Sequence, residues 1–285
     1  MAAKIHGSCL CTTVRWTYSG PPAPMGHCHC SICRKCHGTA FATYMGGDGT
    51  HFAFTAGESA VRRYESSPGF MRAFCGGCGS VVPGIASDGH VFMPAGCFDG
   101  DPGARPKAHI FVAHRSDWYA IEDELRQFDA FARAAGPDLL SVDDEMRVKD
   151  AAGGTCACAG VAFRIDGSLV SAQFCHCTRC QKARSAAHAT NAFGPSEAVV
   201  FLRGEDLIEH YKVPDARFFT QAFCRVCGSP APRIDPGRGI AVIPFGAFDV
   251  APEIRPQRHI FAANKAVWFD IPGALPQFDG DAPAA

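Results

Sequence analysis

Short runs in which apolar and polar residues alternate dominate this chain, and long helical stripes are scarce. Val14, Trp16 and Tyr18 alternate with polar neighbours, as do Phe52 and Phe54, and Val161, Phe163 and Ile165 repeat the first pattern. A period of two puts every second side chain on one face, which predicts half-buried strands. Further strands are predicted at 40–45, 61–64, 71–74, 91–95 and 110–113, each bounded by Gly, Pro, Asp or Ser. Helical signal is confined to about one turn after Cys30 and Cys177, and to 116–121. The pattern predicts a mainly β fold.

The same pattern is written twice. Gly7-Ser8-Cys9-Leu10-Cys11 returns as Gly154-Thr155-Cys156-Ala157-Cys158, 147 positions on. Cys75-Gly76-Gly77-Cys78-Gly79-Ser80 returns as Cys224-Arg225-Val226-Cys227-Gly228-Ser229 at an offset of 149, and His109-Ile110-Phe111 as His259-Ile260-Phe261 at 150. The offset grows across turn-forming stretches, where hairpin loops tolerate insertions. The expected organisation is two tandem domains related by internal duplication, at 1–135 and 153–285, joined by a linker at 136–152. That linker carries Gly136-Pro137 and the acidic run Asp143-Asp144-Glu145, a solvated face in which Leu139, Leu140 and Met146 could form one side of a short helix.

Cysteines change the picture from scaffold to chemistry. Cys28-His29-Cys30-Ser31-Ile32-Cys33 and Cys175-His176-Cys177-Thr178-Arg179-Cys180 each place three thiols within six residues. Thiolates so close repel unless a cation neutralises them, and zinc is the commonest soft divalent partner. Three protein ligands leave one tetrahedral position open, the arrangement of a reactive zinc. Seven thiols per half cannot share one tetrahedral ion, so the economical division is four plus three. Pairing C-x-C with the C-x-x-C-G turn predicts closed structural sites at Cys9, Cys11, Cys75 and Cys78, and at Cys156, Cys158, Cys224 and Cys227. Spacing alone also admits other pairings, an iron–sulfur cluster among them.

Charge and composition narrow the partners. A net charge of −1 gives no basic field for nucleic acid or an acidic membrane. No apolar run reaches the roughly 18 residues of a membrane span. The first residues run into the first cysteine pair without an apolar signal core, so the 16 cysteines are expected to be reduced, in the cytoplasm, with most of them metal ligands and none a disulfide. Cys36 and Cys97 have no counterpart thiols and are expected as buried small hydrophobes, with Cys36 an alternative spare thiol beside the open site. His29 and His176 should turn away from the metal, His109 and His259 should be structural, and Trp118 and Trp268 should be core.

At Gly-Ser-Cys-Leu-Cys (7–11), Cys-His-Cys-Ser-Ile-Cys-Arg-Lys (28–35), Phe-Cys-Gly-Gly-Cys-Gly-Ser (74–80) and His-Ile-Phe with Trp118, the sequence resembles the glutathione-dependent formaldehyde-activating enzyme family. The second half repeats the match. The resemblance implies a zinc-bearing β fold of the "tent" type, also found in methionine sulfoxide reductase B, and supports the four-plus-three division. It implies catalytic zinc at Cys28, Cys30 and Cys33 and at Cys175, Cys177 and Cys180. The implied activity is condensation of glutathione with formaldehyde to S-hydroxymethylglutathione, or a related carbon–sulfur lyase reaction on a small thiol and a small aldehyde. Arg34, Lys35, Lys182 and Arg184 are candidates to hold the carboxylates of glutathione, against solvated charge or neutralisation of the thiolates. The second half departs from the pattern: Arg34-Lys35-Cys36-His37-Gly38 is answered by Gln181-Lys182-Ala183-Arg184-Ser185, Phe41 by His188 and Tyr44 by Asn191. The two pockets are therefore expected to differ, with activity in the first. Rival classes are a non-catalytic zinc module that binds a protein partner, and a thiol redox or zinc-buffering protein. An interaction module has no use for an open triplet, which favours the lyase.

Overall fold

The computed structural model describes residues 4–21, 23–131, 146–150 and 152–283. Most of the expected linker, including Leu139 and Leu140, lies outside them. Each repeat opens with a three-stranded antiparallel sheet, formed by Ile5–Ser8, Arg15–Tyr18 and Phe52–Ala56 in the first and by Gly153–Thr155, Ala162–Ile165 and Val199–Arg203 in the second. Val14, Trp16 and Tyr18 are buried, as their alternation requires.

The strands Met25–Cys28 and Ser171–Cys175 carry the first cysteine of each triplet into the middle of a larger mixed sheet. On one side each pairs antiparallel with the strand that follows it, Ala42–Asp48 or Ala189–Pro195. On the other side it pairs parallel with Pro106–Ile110 or His259–Ile260. A hairpin of Val61–Ser67 with Phe70–Cys75, and of Ile208–Lys212 with Thr220–Cys224, delivers the C-x-x-C-G turns.

Two helices punctuate the strands. α1 (Ser31–His37) and α2 (Thr178–Arg184) begin at Cys30 and Cys177, whose sulfurs accept from the backbone N–H of Cys33 and Cys180. Each helix ends in the left-handed region, at Gly38 (φ 62°) and at Ser185 (φ 52°), a backbone state more strained for serine than for glycine. They run two turns where the sequence predicts one. Segment 116–121 is not a helix: it forms a single turn closed by Tyr119 N–H to Ser116 O, because Trp118 and Tyr119 are both drawn into the core. The strand expected at 110–113 lies earlier, at Pro106–Ile110, since Phe111 has φ 58° and cannot continue it.

The two repeats share one apolar core. Trp16, Phe41, Met93 and Trp118 of the first belong to the same cluster as Phe163, Phe174, Phe245 and Trp268 of the second. Trp118 meets Phe245 edge-on at 4.8 Å between centroids. The contact is reciprocal at close range: a Cβ on Gly79 would sit 2.4 Å from the Phe223 ring, and one on Gly228 would sit 2.4 Å from Phe74. Glycine is required at both places by this approach and by φ values of 74° and 73°.

Candidate metal centres and their surroundings

Four groups of sulfurs converge. Cys9, Cys11, Cys75 and Cys78 form one, and Cys156, Cys158, Cys224 and Cys227 a second. The triplets Cys28, Cys30, Cys33 and Cys175, Cys177, Cys180 form the others, and within each group all sulfurs lie within 4.8 Å of one another. The structure thus brings together each set that spacing grouped, and among the described residues no fourth His, Cys, Asp or Glu joins either triplet.

Sulfur spacing tests whether zinc fits. Four ligands about 2.3 Å from a tetrahedral ion stand about 3.8 Å apart. Here Cys9 and Cys11 are 3.4 Å apart, Cys11 and Cys75 3.7 Å, Cys158 and Cys224 3.8 Å, and Cys175 and Cys177 3.7 Å. These are ligand spacings, far longer than a disulfide's, and all 16 cysteines are free. Charge sharing says the same. In the first triplet close sulfurs push Cys28 well up and Cys33 well down. In the second, Cys175 and Cys177 push Cys180 well up, while Cys175 and Cys180 hold Cys177 down at about 3. Neither triplet can hold three thiolates without a cation. Zinc fits all four groups.

Each closed group is roofed by the other repeat. Tyr211 packs on the cluster of Cys9, Cys75 and Cys78, and Tyr64 on that of Cys156, Cys224 and Cys227. α1 of the first repeat shares its apolar cluster with the closed group of the second. Cys36 sits within that cluster, its thiol pushed up to about 12 by burial, and Cys97 is fully buried with its thiol donating to Val81 O. Both behave as buried hydrophobes.

The four basic residues divide into two kinds. Lys35 Nζ donates to Thr155 O, Thr155 Oγ1 and Ala247 O and pairs with Asp249 at 2.7 Å. Lys182 mirrors it, donating to Ser8 O, Ser8 Oγ and Cys97 O and pairing with Asp99. The sequence made both candidates for substrate carboxylates. Their ammonium groups are instead consumed by the opposite repeat, because burial demands that every donor find a protein acceptor. Arg34 and Arg184 keep a buried nitrogen each, Nε and Nη1, without a protein partner.

The histidines between the ligand cysteines point into the core. His29 Nε2 lies 2.8 Å from His109 Nδ1, and His109 Nε2 donates to Asp123, which fixes the tautomers of both rings. His176 and His259 repeat the contact at 2.9 Å, but Gly273 stands where Asp123 would be. Burial lowers both inter-cysteine histidines to about 3, so they are neutral. Trp118 and Trp268 are core.

Sequence reasoning marked Tyr44 and Asn191, and His37 and Arg184, as differences between the two pockets but gave Tyr44 and His37 no role, and it missed Arg72 and Gln221. Tyr44 packs on the first triplet's cluster and its hydroxyl lies 2.8 Å from His37 Nε2. His37 Nδ1 is 2.7 Å from Arg184 O, an acceptor only, so Nδ1 carries the proton and Tyr44 O–H donates to Nε2. Burial holds His37 down at about 4 and pushes Tyr44 well above its ordinary value. Arg72, opposite Tyr64 in the hairpin, faces Cys33 and Cys30 electrostatically. In the second repeat the same register positions hold Asn191, Arg184 and Gln221. The signal was available in the strand period: Ala42 lies opposite Cys28, and Tyr44 is two residues on, on the same face. A cavity of about 170 Å³ opens against Cys175 and Cys180, lined also by Arg184, Asn191 and Gln221.

Comparison with known proteins places these features. The model of the glutathione-dependent formaldehyde-activating enzyme family matches residues 4–114 and again 151–264. A Halomonas elongata protein provisionally named a glutathione-dependent formaldehyde-activating enzyme is 33% identical over 130 residues, covering 41% of this chain and 81% of that protein. The matching share of a solved structure of a Rhodobacter sphaeroides protein covers 35% of this chain and 91% of that one, at 18% identity and a TM-score of 0.28.

Proposed function

From the premise that this chain belongs to the glutathione-dependent formaldehyde-activating enzyme family through both of its repeats, we propose that it is a zinc-dependent carbon–sulfur lyase. The reaction is the joining of glutathione, or a related small thiol, to formaldehyde as S-hydroxymethylglutathione, and its reverse. One observation carries this reading: two triplets of sulfur, the first buried and the second buried but for half-buried Cys177, converge with no fourth protein ligand beside them among the described residues, next to two four-sulfur groups that need nothing more. A structural or partner-binding module would use only the closed groups. In this reading the closed groups hold structural zinc, the triplets hold open zinc, and the protein works in the cytoplasm.

Zinc in a triplet would supply an open position that deprotonates an entering thiol while leaving its sulfur nucleophilic. The rest falls to this chain's residues. The S–C bond forms as the aldehyde carbonyl becomes an alkoxide, and the proton given up by the thiol must end on that oxygen. Tyr44, kept protonated by burial, supplies it by turning its hydroxyl from His37 Nε2 to the alkoxide beside the first triplet. Its proton is restored by the one the thiol surrenders. Arg72 supplies positive charge at the same place. Asn191 and Arg184 provide no such donor beside the second triplet, so turnover is assigned to the first repeat.

Cobalt substitution tests the open position. Thiolate-to-cobalt absorption should strengthen, and a proton be released, when glutathione is added to the cobalt-loaded protein. A triplet fully loaded with metal yet unresponsive to every added thiol sinks the reading.

A further inference from the structure

In the first repeat Asp123 completes the histidine pair, its carboxylate 3.0 Å from His109 Nε2. The second repeat keeps the pair and drops the carboxylate: His259 Nδ1 lies 2.9 Å from His176 Nε2, and position 273, which answers Asp123, is glycine. A cavity of about 200 Å³ opens there, against His259, Pro272 and Leu275, and no cysteine lines it. His259 is 5% exposed. With Nδ1 taken, its Nε2 has no protein partner among the described residues, and protein atoms do not seal it off from the cavity. A ring nitrogen at that depth costs stability unless something enters to meet it.

The lining selects what enters. Trp118 and Tyr119 of the first repeat and Phe174 and Phe269 of the second give the cavity aromatic walls. An apolar cavity of roughly 150 Å³ is enough to admit benzene, so this one has room for a six-membered ring with a small substituent. Charge selects the substituent. No lysine or arginine lines the cavity, whereas Glu122 does, its carboxylate filling the space that a Cβ at Gly273 would need. A ligand carboxylate in the place of Asp123 would meet that negative charge at close range. A neutral hydroxyl avoids the conflict. It pairs with Nε2 in either tautomer of His259 and, where Nε2 carries the proton, donates its own hydrogen bond to Glu122.

We propose that this cavity is a binding site for a small phenol, with the hydroxyl on His259 Nε2 beside Glu122 and the ring among Trp118, Tyr119, Phe174 and Phe269. The site is separate from the four sulfur groups and does not rest on the lyase reading.

The test uses the full zinc-loaded chain and three probes of similar size, phenol, toluene and benzoate, followed by calorimetry and by ligand-observed NMR. Phenol should bind the wild type about five- to tenfold more tightly than toluene, the range of one hydrogen bond, and benzoate should bind more weakly than either. His259→Phe should bring phenol down to the affinity of toluene. Leu275→Trp, which fills the cavity, should abolish binding of both while leaving zinc content unchanged. Equal affinities of phenol and toluene in the wild type overturn the proposal, as does a preference for benzoate, which would put an anion where Asp123 stands in the first repeat. Phenol binding that survives Leu275→Trp undiminished also overturns it, because the ligand then sits elsewhere. Should His259→Phe fail to fold, the wild-type series and Leu275→Trp decide between these outcomes.

Discussion

Lys35 of the first repeat and Asp249 of the second form a 2.7 Å ion pair whose side chains are only 3% and 2% exposed. Lys182 and Asp99 form its counterpart in the opposite sense, with side chains 19% and 41% exposed. Each lysine lies in the helix that follows a ligand triplet, so the positioning of either centre depends on the other repeat.

Lys35→Ala should therefore destabilise the protein by about 3–5 kcal/mol, since a buried carboxylate loses its ion-pair partner. Lys182→Ala should cost clearly less, because water already screens its pair. Urea unfolding of the zinc-loaded proteins measures both. Equal costs would show that burial does not govern these pairs.

Cys78→Ser should release the zinc of the first closed group and melt both repeats in one transition at a lower temperature. Tyr211 of the second repeat roofs that group and the apolar core is continuous, so the halves have no separate surface along which to part. Calorimetry with metal analysis checks this. Two resolved transitions, or unchanged melting in a metal-depleted protein, would count against it.

Cys30→Ser should abolish condensation of glutathione with formaldehyde, whereas Cys177→Ser should retain most of it. Tyr44→Phe should lower kcat by about 10²–10⁴-fold with little change in thiol affinity, the range for loss of a positioned proton donor. Steady-state rates corrected for the uncatalysed reaction decide. Equal losses in the two cysteine variants would mean that both centres turn over.

Acid should weaken the fold before it reaches the carboxylates. Burial holds His37 and His259 down at about 4 against an ordinary value of 6.5, so the unfolded chain binds protons that the folded one refuses. Their stabilisation is complete above pH 6.5 and is lost as pH falls from there towards 4, by about 3 kcal/mol for fully buried His37. His37→Gln should flatten the dependence of unfolding free energy on pH across that window. An unaltered slope would refute the assignment.

Sequence alone determined the β character, the duplication and the two cysteine triplets, and it proposed the four-sulfur groups while other pairings stayed open. Those features are local or repeat in register: alternation sets a strand's buried face, and C-x-x-C brings two sulfurs together whatever else the chain does. Tertiary structure decided the rest. Lys35 and Lys182 read as substrate-binding cations because a basic residue beside a thiol cluster has the same local signature whether water, a ligand or Asp249 faces it. The exchanged contacts were equally hidden, since two repeats carry the same internal pattern whether they stand apart or bury Phe74 and Phe223 against each other's glycines. The cavity against the second triplet depends on Asn191, Arg184 and Gln221 meeting from a strand, a helix end and a distant hairpin. Burial, free volume and charge pairing belong to surfaces assembled from remote segments, and only the folded chain brings those surfaces together.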